Sequence, residues 1–187
     1  MKPFAVLSLL AGLTISGAAF AQNTRWQDMA LVDLGTSASM PAELGVWEEM
    51  IARNDQKFKA DFGVPKTKTG RSPVLIRWHS FEANGAKVVV SIFHGIVANC
   101  DGGANSNASE QTWATCPARI TVIKDGQAKT TQTTACFNGF PLGPTIPAPA
   151  SEKTLVALDV ANGRVQLKAS TNGKDASGCA RSVKITL

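Results

Sequence analysis

Asn-Gly and Asp-Gly dipeptides separate β-prone segments along much of this chain. Asn84-Gly85, Asp125-Gly126 and Asn162-Gly163 each lie between runs that contain valine, isoleucine, leucine or threonine. The tightest β-hairpin turn needs a positive φ at both central residues, which Asn or Asp followed by Gly adopts readily. The chain is therefore expected to fold mainly as antiparallel β-structure.

The first of these turns also predicts where the two histidines lie. With Asn84 and Gly85 as the turn residues, residue 83 faces residue 86 and the pairing continues outward. His79 then faces residue 90 and His94 faces residue 75, so both histidines lie on one face of the hairpin. They are about 13 Å apart along the strands, which is too far for a regular hairpin to share one metal ion between them.

The third turn predicts a C-terminal hairpin. If Asn162-Gly163 is a two-residue turn, Val160 opposes Val165 and Leu158 opposes Leu167 on one apolar face. Turn chemistry and hydrophobic alternation agree here, which supports the hairpin. The strand after Asp125-Gly126 is rich in threonine, which predicts an edge or half-exposed strand.

One helix is predicted, between residues 39 and 62. Ser39 can act as its N-cap, and Pro41 is tolerated in a first helical turn. Apolar residues recur on one helical face, namely Leu44, Trp47, Ile51, Phe58 and Phe62. Such a face must pack on another element. The expected architecture is an antiparallel β-sandwich or open barrel with this N-terminal amphipathic helix packed against it, stapled by disulfides.

The first 21 residues have the pattern of a signal peptide. Lys2 precedes an apolar run, and Ala19-Phe20-Ala21 fits the small-x-small cleavage pattern. We expect cleavage before Gln22 and a periplasmic or secreted protein of a bacterium. No later apolar run is long enough for a transmembrane helix, so no membrane anchor is expected after cleavage.

Residues 22–187 are expected to form a single mostly β domain. A strand and the helix occupy 22–64, β-hairpins occupy 73–135, and a C-terminal β-meander occupies 154–187. Four of the nine prolines lie between them in 137–150, which predicts an extended connector.

The four cysteines predict structural disulfides. Cys100, Cys116, Cys136 and Cys179 include no Cys-x-x-Cys pair, which argues against zinc ribbons, redox motifs and haem attachment. An even number of cysteines in an exported protein is typical of disulfides. Of the three possible connectivities, the near-symmetric positions of Cys116 and Cys136 about Asp125-Gly126 favour Cys116–Cys136 with Cys100–Cys179. The next alternative is Cys100–Cys116 with Cys136–Cys179.

Motifs of the common enzyme and cofactor classes do not occur in the chain. There is no Gly-x-Ser-x-Gly, no His-Glu-x-x-His and neither of the glycine-rich nucleotide-binding motifs. No catalytic residue, metal site or cofactor is predicted. His79 and His94 are interpreted as half-buried sheet residues, and the alternative is a small exported hydrolase that uses one of them.

A basic stretch near the predicted helix end is a candidate interaction surface. Lys66, Lys68 and Arg71 lie there in a loop rich in threonine, glycine and proline. Such side chains suit phosphate, lipid headgroups, or an acidic protein or glycan. The loop has no aromatic residue to stack on a base, which argues against nucleic acid as a partner. Trp113, beside a Gly/Asn/Ser-rich segment, is predicted to be a further, exposed aromatic anchor.

These features favour a non-catalytic binding protein over an enzyme. The expected partner is a protein or another component of the cell envelope. One specific form is an inhibitor or immunity-type protein that acts on an envelope or cell-wall enzyme.

Overall fold

The computed structural model describes residues 25–102, 113–137 and 152–187. The predicted signal peptide, almost all of the proline-rich connector and most of the segment before Trp113 lie outside the described residues. No helix in the described part is both long and apolar enough to cross a bilayer. Strands dominate, and they form two antiparallel sheets. The predicted mainly β class is therefore confirmed.

The helical segments are a 3₁₀-helix (Ala42–Trp47) and α1 (Glu48–Phe62). In chain order the strands are β1 (Gln27–Asp28), β2 (Ala30–Asp33), β3 (Leu75–Ala83), β4 (Ala86–His94), β5 (Asp101–Gly102), β6 (Ala114–Lys124), β7 (Gln127–Phe137), β8 (Glu152–Asp159), β9 (Arg164–Thr171), β10 (Lys174–Asp175) and β11 (Arg181–Lys184). The larger sheet has the order β2-β3-β4-β6, with β5 and β7 both paired to β6. The smaller sheet has the order β1-β8-β9, with β10 and β11 both paired to β9.

Two hairpins have the predicted register. In the β3–β4 hairpin Ala83 faces Ala86 and His79 faces Val90. In the β6–β7 hairpin Lys124 faces Gln127. The threonine-rich β7 is an edge strand among the described residues, and its first half is mostly exposed, as predicted.

The third hairpin differs from its prediction by two residues. Asp159 faces Arg164 and Leu158 faces Val165, so four residues rather than two form the turn. The Asp159 carboxylate accepts hydrogen bonds from the backbone and side-chain nitrogens of Asn162, at 3.1 and 2.7 Å. These bonds stabilise the longer turn, and they hold the pKa of Asp159 below its usual value. A shift of two residues leaves every side chain on its predicted face.

The sequence segment Asn172-Gly173 forms a further tight turn that sequence analysis overlooked. Both residues have positive φ, 51° and 76°. The turn joins β9 to β10, where Thr171 faces Lys174.

The main core lies between the two sheets. The larger sheet contributes alternate residues of its central strands, among them Val88, Val90, Ile92 and Ile120, and the smaller sheet contributes Val156, Val165 and Leu167. These side chains are all buried.

The helix covers the opposite face of the larger sheet, mainly through Trp47. Its indole nitrogen donates a 2.8 Å hydrogen bond to Ser91 Oγ, and its ring stacks on Phe93 with centroids 5.2 Å apart. The Arg119 guanidinium lies 4.3 Å from the centre of that ring and donates a hydrogen bond to the Val46 carbonyl. Strand β4 is thus buried on both faces, which explains its nearly continuous apolar sequence.

Only the first half of the predicted apolar helical face is buried. Leu44, Trp47 and Ile51 are buried as predicted, but the helix begins as a 3₁₀ segment after Pro41 rather than at Ser39. The next buried residue is Asn54, which lies against Gly95 just after β4 ends. The later turns of α1 therefore have no sheet beneath them. Phe58 is half-buried there and Phe62 is 67 % exposed.

The first described strands belong to different sheets. β1 pairs with β8 and β2 pairs with β3. Met29 lies between them, is buried, and donates its backbone N–H to the Thr154 carbonyl at 3.0 Å. Seven consecutive residues therefore connect the two layers at one edge.

The preferred disulfide pairing is wrong. Cys100 is bonded to Cys116, and Cys136 is bonded to Cys179, which is the next alternative from the sequence. In the β6–β7 ladder Cys116 faces residue 135 and Cys136 faces residue 115. Because neighbouring positions along a strand point to opposite faces, Cys116 and Cys136 lie on opposite sides of the sheet and cannot bond. The Cys136–Cys179 bridge instead joins β7 of the larger sheet to the turn before β11 of the smaller sheet.

Candidate interaction surface

Basic and apolar side chains, all exposed except the half-buried Phe58, lie together at the end of α1 and in the loop that follows it. We call this the helix–loop surface, and it consists of Lys57, Phe58, Lys59, Phe62, Val64, Lys66, Lys68 and Arg71. Lys66, Lys68 and Arg71 are all exposed, as a role in binding requires.

The loop runs back alongside the helix because its end is bonded to the middle of α1. The Ser72 N–H donates to Asp55 Oδ1 at 2.8 Å, and the Ser72 hydroxyl donates to the same oxygen. The buried Asn54 amide donates to Ser72 Oγ at 2.7 Å. Asp55 precedes Phe62, the last residue of α1, by two helical turns, or about 10 Å. Residues 63–72 must therefore span that distance next to the helix.

Further hydrogen bonds order the loop internally and hold it on the N-terminal segment. Thr69 donates its backbone N–H to the Gly35 carbonyl at 3.2 Å and its hydroxyl to the Leu34 carbonyl at 2.7 Å. Thr67 Oγ1 donates to the Arg71 carbonyl at 2.6 Å. The threonines thus bind backbone, while the neighbouring basic side chains remain exposed.

The apolar part of the surface is unusually open to solvent. Phe62 is 67 % exposed and Val64 is 79 % exposed. The ring of Phe62 touches that of Phe58, with centroids 5.1 Å apart. Sequence periodicity had assigned both phenylalanines to the buried helical face. Exposed apolar patches that are rimmed by polar residues commonly mark interaction sites.

Basic residues flank this apolar group on both sides along the chain. Residues 57–71 contain five basic side chains and one carboxylate, in a chain whose net charge is +5. The carboxylate, Asp61, pairs with Lys57 at 2.9 Å. In the part of the chain that the structure describes, the other four bases form no ion pair. The surface therefore suits a partner that carries negative charge.

Trp113 does not belong to any exposed surface, contrary to its prediction. Its side chain is only 8 % exposed and packs in a buried cluster with Ala169 and the Cys136–Cys179 bridge. The prediction relied on the polar segment before Trp113, whereas the burial of this side chain depends on residues that are distant in the sequence.

Both histidines lie on the inner face of the larger sheet, as the register predicted. His79 meets the ring of Phe81 edge-on, with centroids 4.7 Å apart. His94 stacks on Phe137 at 5.0 Å. Burial lowers the pKa of both imidazoles, because the charged form loses hydration. Both rings are therefore favoured in the neutral form.

Sequence analysis missed a buried arginine between the sheets. Arg77 is only 9 % exposed, donates to the Met29 carbonyl at 2.9 Å, and lies 5.9 Å from the centre of the Phe137 ring. Burial lowers its pKa, while the charges of Asp28 and Glu152 act in the opposite direction. Burial likewise raises the pKa of Glu152, opposed by Arg77. The sequence could have predicted this burial. Arg77 is two residues from both Leu75 and His79 on β3, so all three side chains point to the same, inner face of the sheet.

The described residues contain no grouping of three or more histidine, cysteine, aspartate or glutamate side chains that could hold a metal ion. No protein-family model, curated protein or solved structure matches this chain. The function is therefore inferred from the chemistry of the chain's own surface.

Proposed function

We propose that the protein is an exported, non-catalytic binding protein that engages a component of the cell envelope through the helix–loop surface. The observation that supports this most directly is the exposure of Phe62 and Val64 near five bases, of which only Lys57 pairs with a carboxylate among the described residues. Aromatic side chains and arginine are the groups that binding surfaces use most effectively.

The rigidity of the loop supports the same proposal. Its backbone is bonded to Asp55 on α1 and to Gly35 on the N-terminal segment. Ordering a loop on binding costs free energy, and a loop that is ordered beforehand avoids much of that cost. The surface is therefore prepared for a partner in the free protein.

Location in the periplasm or outside the cell is part of the proposal. The signal-peptide pattern of residues 1–21 supports it. Disulfides persist mainly in oxidising compartments, so the Cys100–Cys116 and Cys136–Cys179 bonds support it as well. One specific form of this proposal is an inhibitor or immunity-type protein that acts on an envelope or cell-wall enzyme.

The alternative is a small exported hydrolase that uses His79 or His94. One observation favours it, because a lowered pKa keeps the imidazole neutral, as a general base must be. The two functions separate on His79→Gln and His94→Gln, made singly. One of these changes would abolish a hydrolase that depends on the replaced histidine, whereas binding through the helix–loop surface would be unaffected by either.

Site-specific photo-crosslinking in living cells tests the binding proposal. A photoreactive residue at Val64 is expected to form adducts with an envelope component. The matched control position is Leu31, which is 48 % exposed on β2, outside the helix–loop surface. Equal adduct formation at both positions, or none at Val64, would refute this surface as the binding site.

A further inference from the structure

We infer that the partner of the helix–loop surface is the surface of an anionic phospholipid bilayer. This inference rests on the proposed function and names the chemistry of its partner. Three properties of the surface support it: the shape of the apolar group, the position of the bases, and the charge that a second copy would present.

The apolar side chains project outward. Phe62 is the last residue of α1, and Gly63 follows it with a φ of 80°, which ends the helix and leads directly to Val64. Both side chains are more than two-thirds exposed. Fluid acyl chains can close around projecting groups of any outline. A stable protein–protein interface instead needs about 800 Å² of matched surface on each partner.

Exposed bases flank the projecting apolar residues along the chain. Lys59 precedes the projecting phenylalanine on the helix, and Lys66 and Lys68 follow on the loop that runs beside it. A lysine or arginine has a long apolar stem and a charged head, so its head can stay at the phosphates while neighbouring apolar groups sink deeper. Aromatic and basic groups on one face are typical of helices that bind at the bilayer interface.

Charge also argues against self-association through this surface. Two copies would bring the same five bases of residues 57–71 against each other, with one carboxylate on each side. Like charges close together oppose contact. An acidic protein would satisfy the charge equally well, and the test below separates it from a bilayer.

The test is co-sedimentation of the oxidised protein with two kinds of vesicle. One contains phosphatidylcholine alone, and the other is an equimolar mixture with phosphatidylglycerol. We expect binding only to the anionic vesicles, with an affinity that falls as salt is added. Phe62→Ser with Val64→Ser should weaken it at least about tenfold, because two apolar side chains no longer enter the hydrocarbon.

Charge variants then show whether position or net charge matters. Lys66→Gln, Lys68→Gln and Arg71→Gln together should weaken binding about 100-fold, at roughly fivefold for each base near an anionic surface. The matched control removes three exposed lysines elsewhere, through Lys124→Gln, Lys129→Gln and Lys174→Gln. This control should lose much less affinity. Equal losses in the two triple variants would overturn the inference, since non-specific attraction would then explain the binding.

The outcomes for this inference and for the proposed function are distinct. If vesicles of neither composition bind but Val64 still crosslinks to an envelope protein, the bilayer inference fails and the proposed function stands. If vesicle binding is absent and Val64 forms no adduct, both fail. Urea unfolding of each variant, with the wild type as reference, shows whether a loss reflects a damaged fold.

Discussion

Removing each disulfide separately gives the sharpest test of the fold. The pair Cys136→Ala and Cys179→Ala removes the bridge between the sheets, and Cys100→Ala with Cys116→Ala removes the bridge within the larger sheet. We expect the first pair to cost more stability, because its bridge closes the longer loop.

The loop lengths set the size of this difference. Cys136 and Cys179 are 43 residues apart, whereas Cys100 and Cys116 are 16 apart. In the chain-entropy model such loops correspond to about 4 and about 3 kcal/mol of stabilisation at 25 °C. The inter-sheet variant should therefore unfold at a lower denaturant concentration than the other, by about 1 kcal/mol in free energy.

The assay combines urea unfolding without reductant and thiol titration of the unfolded chains. Each of these two variants should contain no titratable thiol, because its two remaining cysteines are natural partners. The variant with Cys116→Ala and Cys136→Ala should contain two, on Cys100 and Cys179. Finding no free thiol in that variant, together with wild-type stability of the other two, would refute the pairing and the strand register behind it.

Three further predictions concern the helix and the inner face. Gly95→Ala should lower the free energy of unfolding by about 1–3 kcal/mol in urea titrations, because the new Cβ would lie 2.5 Å from the buried Asn54 Oδ1. The control Gly45→Ala should lower it much less, since its new Cβ would have no neighbour closer than 3.5 Å. Trp47→Phe should cost about 1–3 kcal/mol in the same assay, since a buried serine hydroxyl loses its indole donor. Stability should fall as pH drops below 6.5, because the unfolded state binds a proton that the folded state, with the lowered pKa of His94, does not. In urea titrations at several pH values, His94→Gln should make stability depend less steeply on pH below 6.5. An unchanged pH dependence would show that His94 is not the group responsible.

Turn chemistry predicted strand pairing wherever the turn is made by the dipeptide alone. Asn84 and Gly85 have φ values of 52° and 72°, and the register of the entire β3–β4 hairpin follows from them. At Asn162-Gly163 only the glycine has a positive φ. The side chain of Asp159, the last residue of β8, stabilises a longer turn there. Dipeptide rules do not include such a side chain.

The strand register about Asp125-Gly126 already excludes a Cys116–Cys136 disulfide. Pairing about Asp125-Gly126 places residue 116 opposite residue 135, one position away from Cys136. Neighbouring positions point to opposite faces, so the approximate symmetry that favoured Cys116–Cys136 in fact excludes it. Two-residue periodicity therefore carried more information than spacing along the chain.

The candidate site could be predicted only in part. Lys66, Lys68 and Arg71 were recognisable because a loop of polar residues and glycine is usually exposed. Phe62 has the spacing of a buried helical residue, and nothing local shows that the sheet beneath α1 ends near Asn54. Trp113 is the opposite case, since a partner 66 residues away in the chain, Cys179, helps to bury it. Both outcomes depend on tertiary contacts that local patterns do not encode.

The shared edge formed by β1 and β2 has a consequence for how the molecule is assembled. Gln27 on β1 pairs with Val156 on β8, so β1 cannot pair until β8 has been synthesised. Until β8 and β9 are available, the inner face of the larger sheet, with Val88, Val90 and Ile92, has no second layer to cover it. During synthesis from the N-terminus, the inner face of the larger sheet therefore remains uncovered until β8 and β9, in the last quarter of the chain, have been made. Closure of the sandwich is then a late event that joins the two ends of the described chain, and contacts of such long range are slow to form.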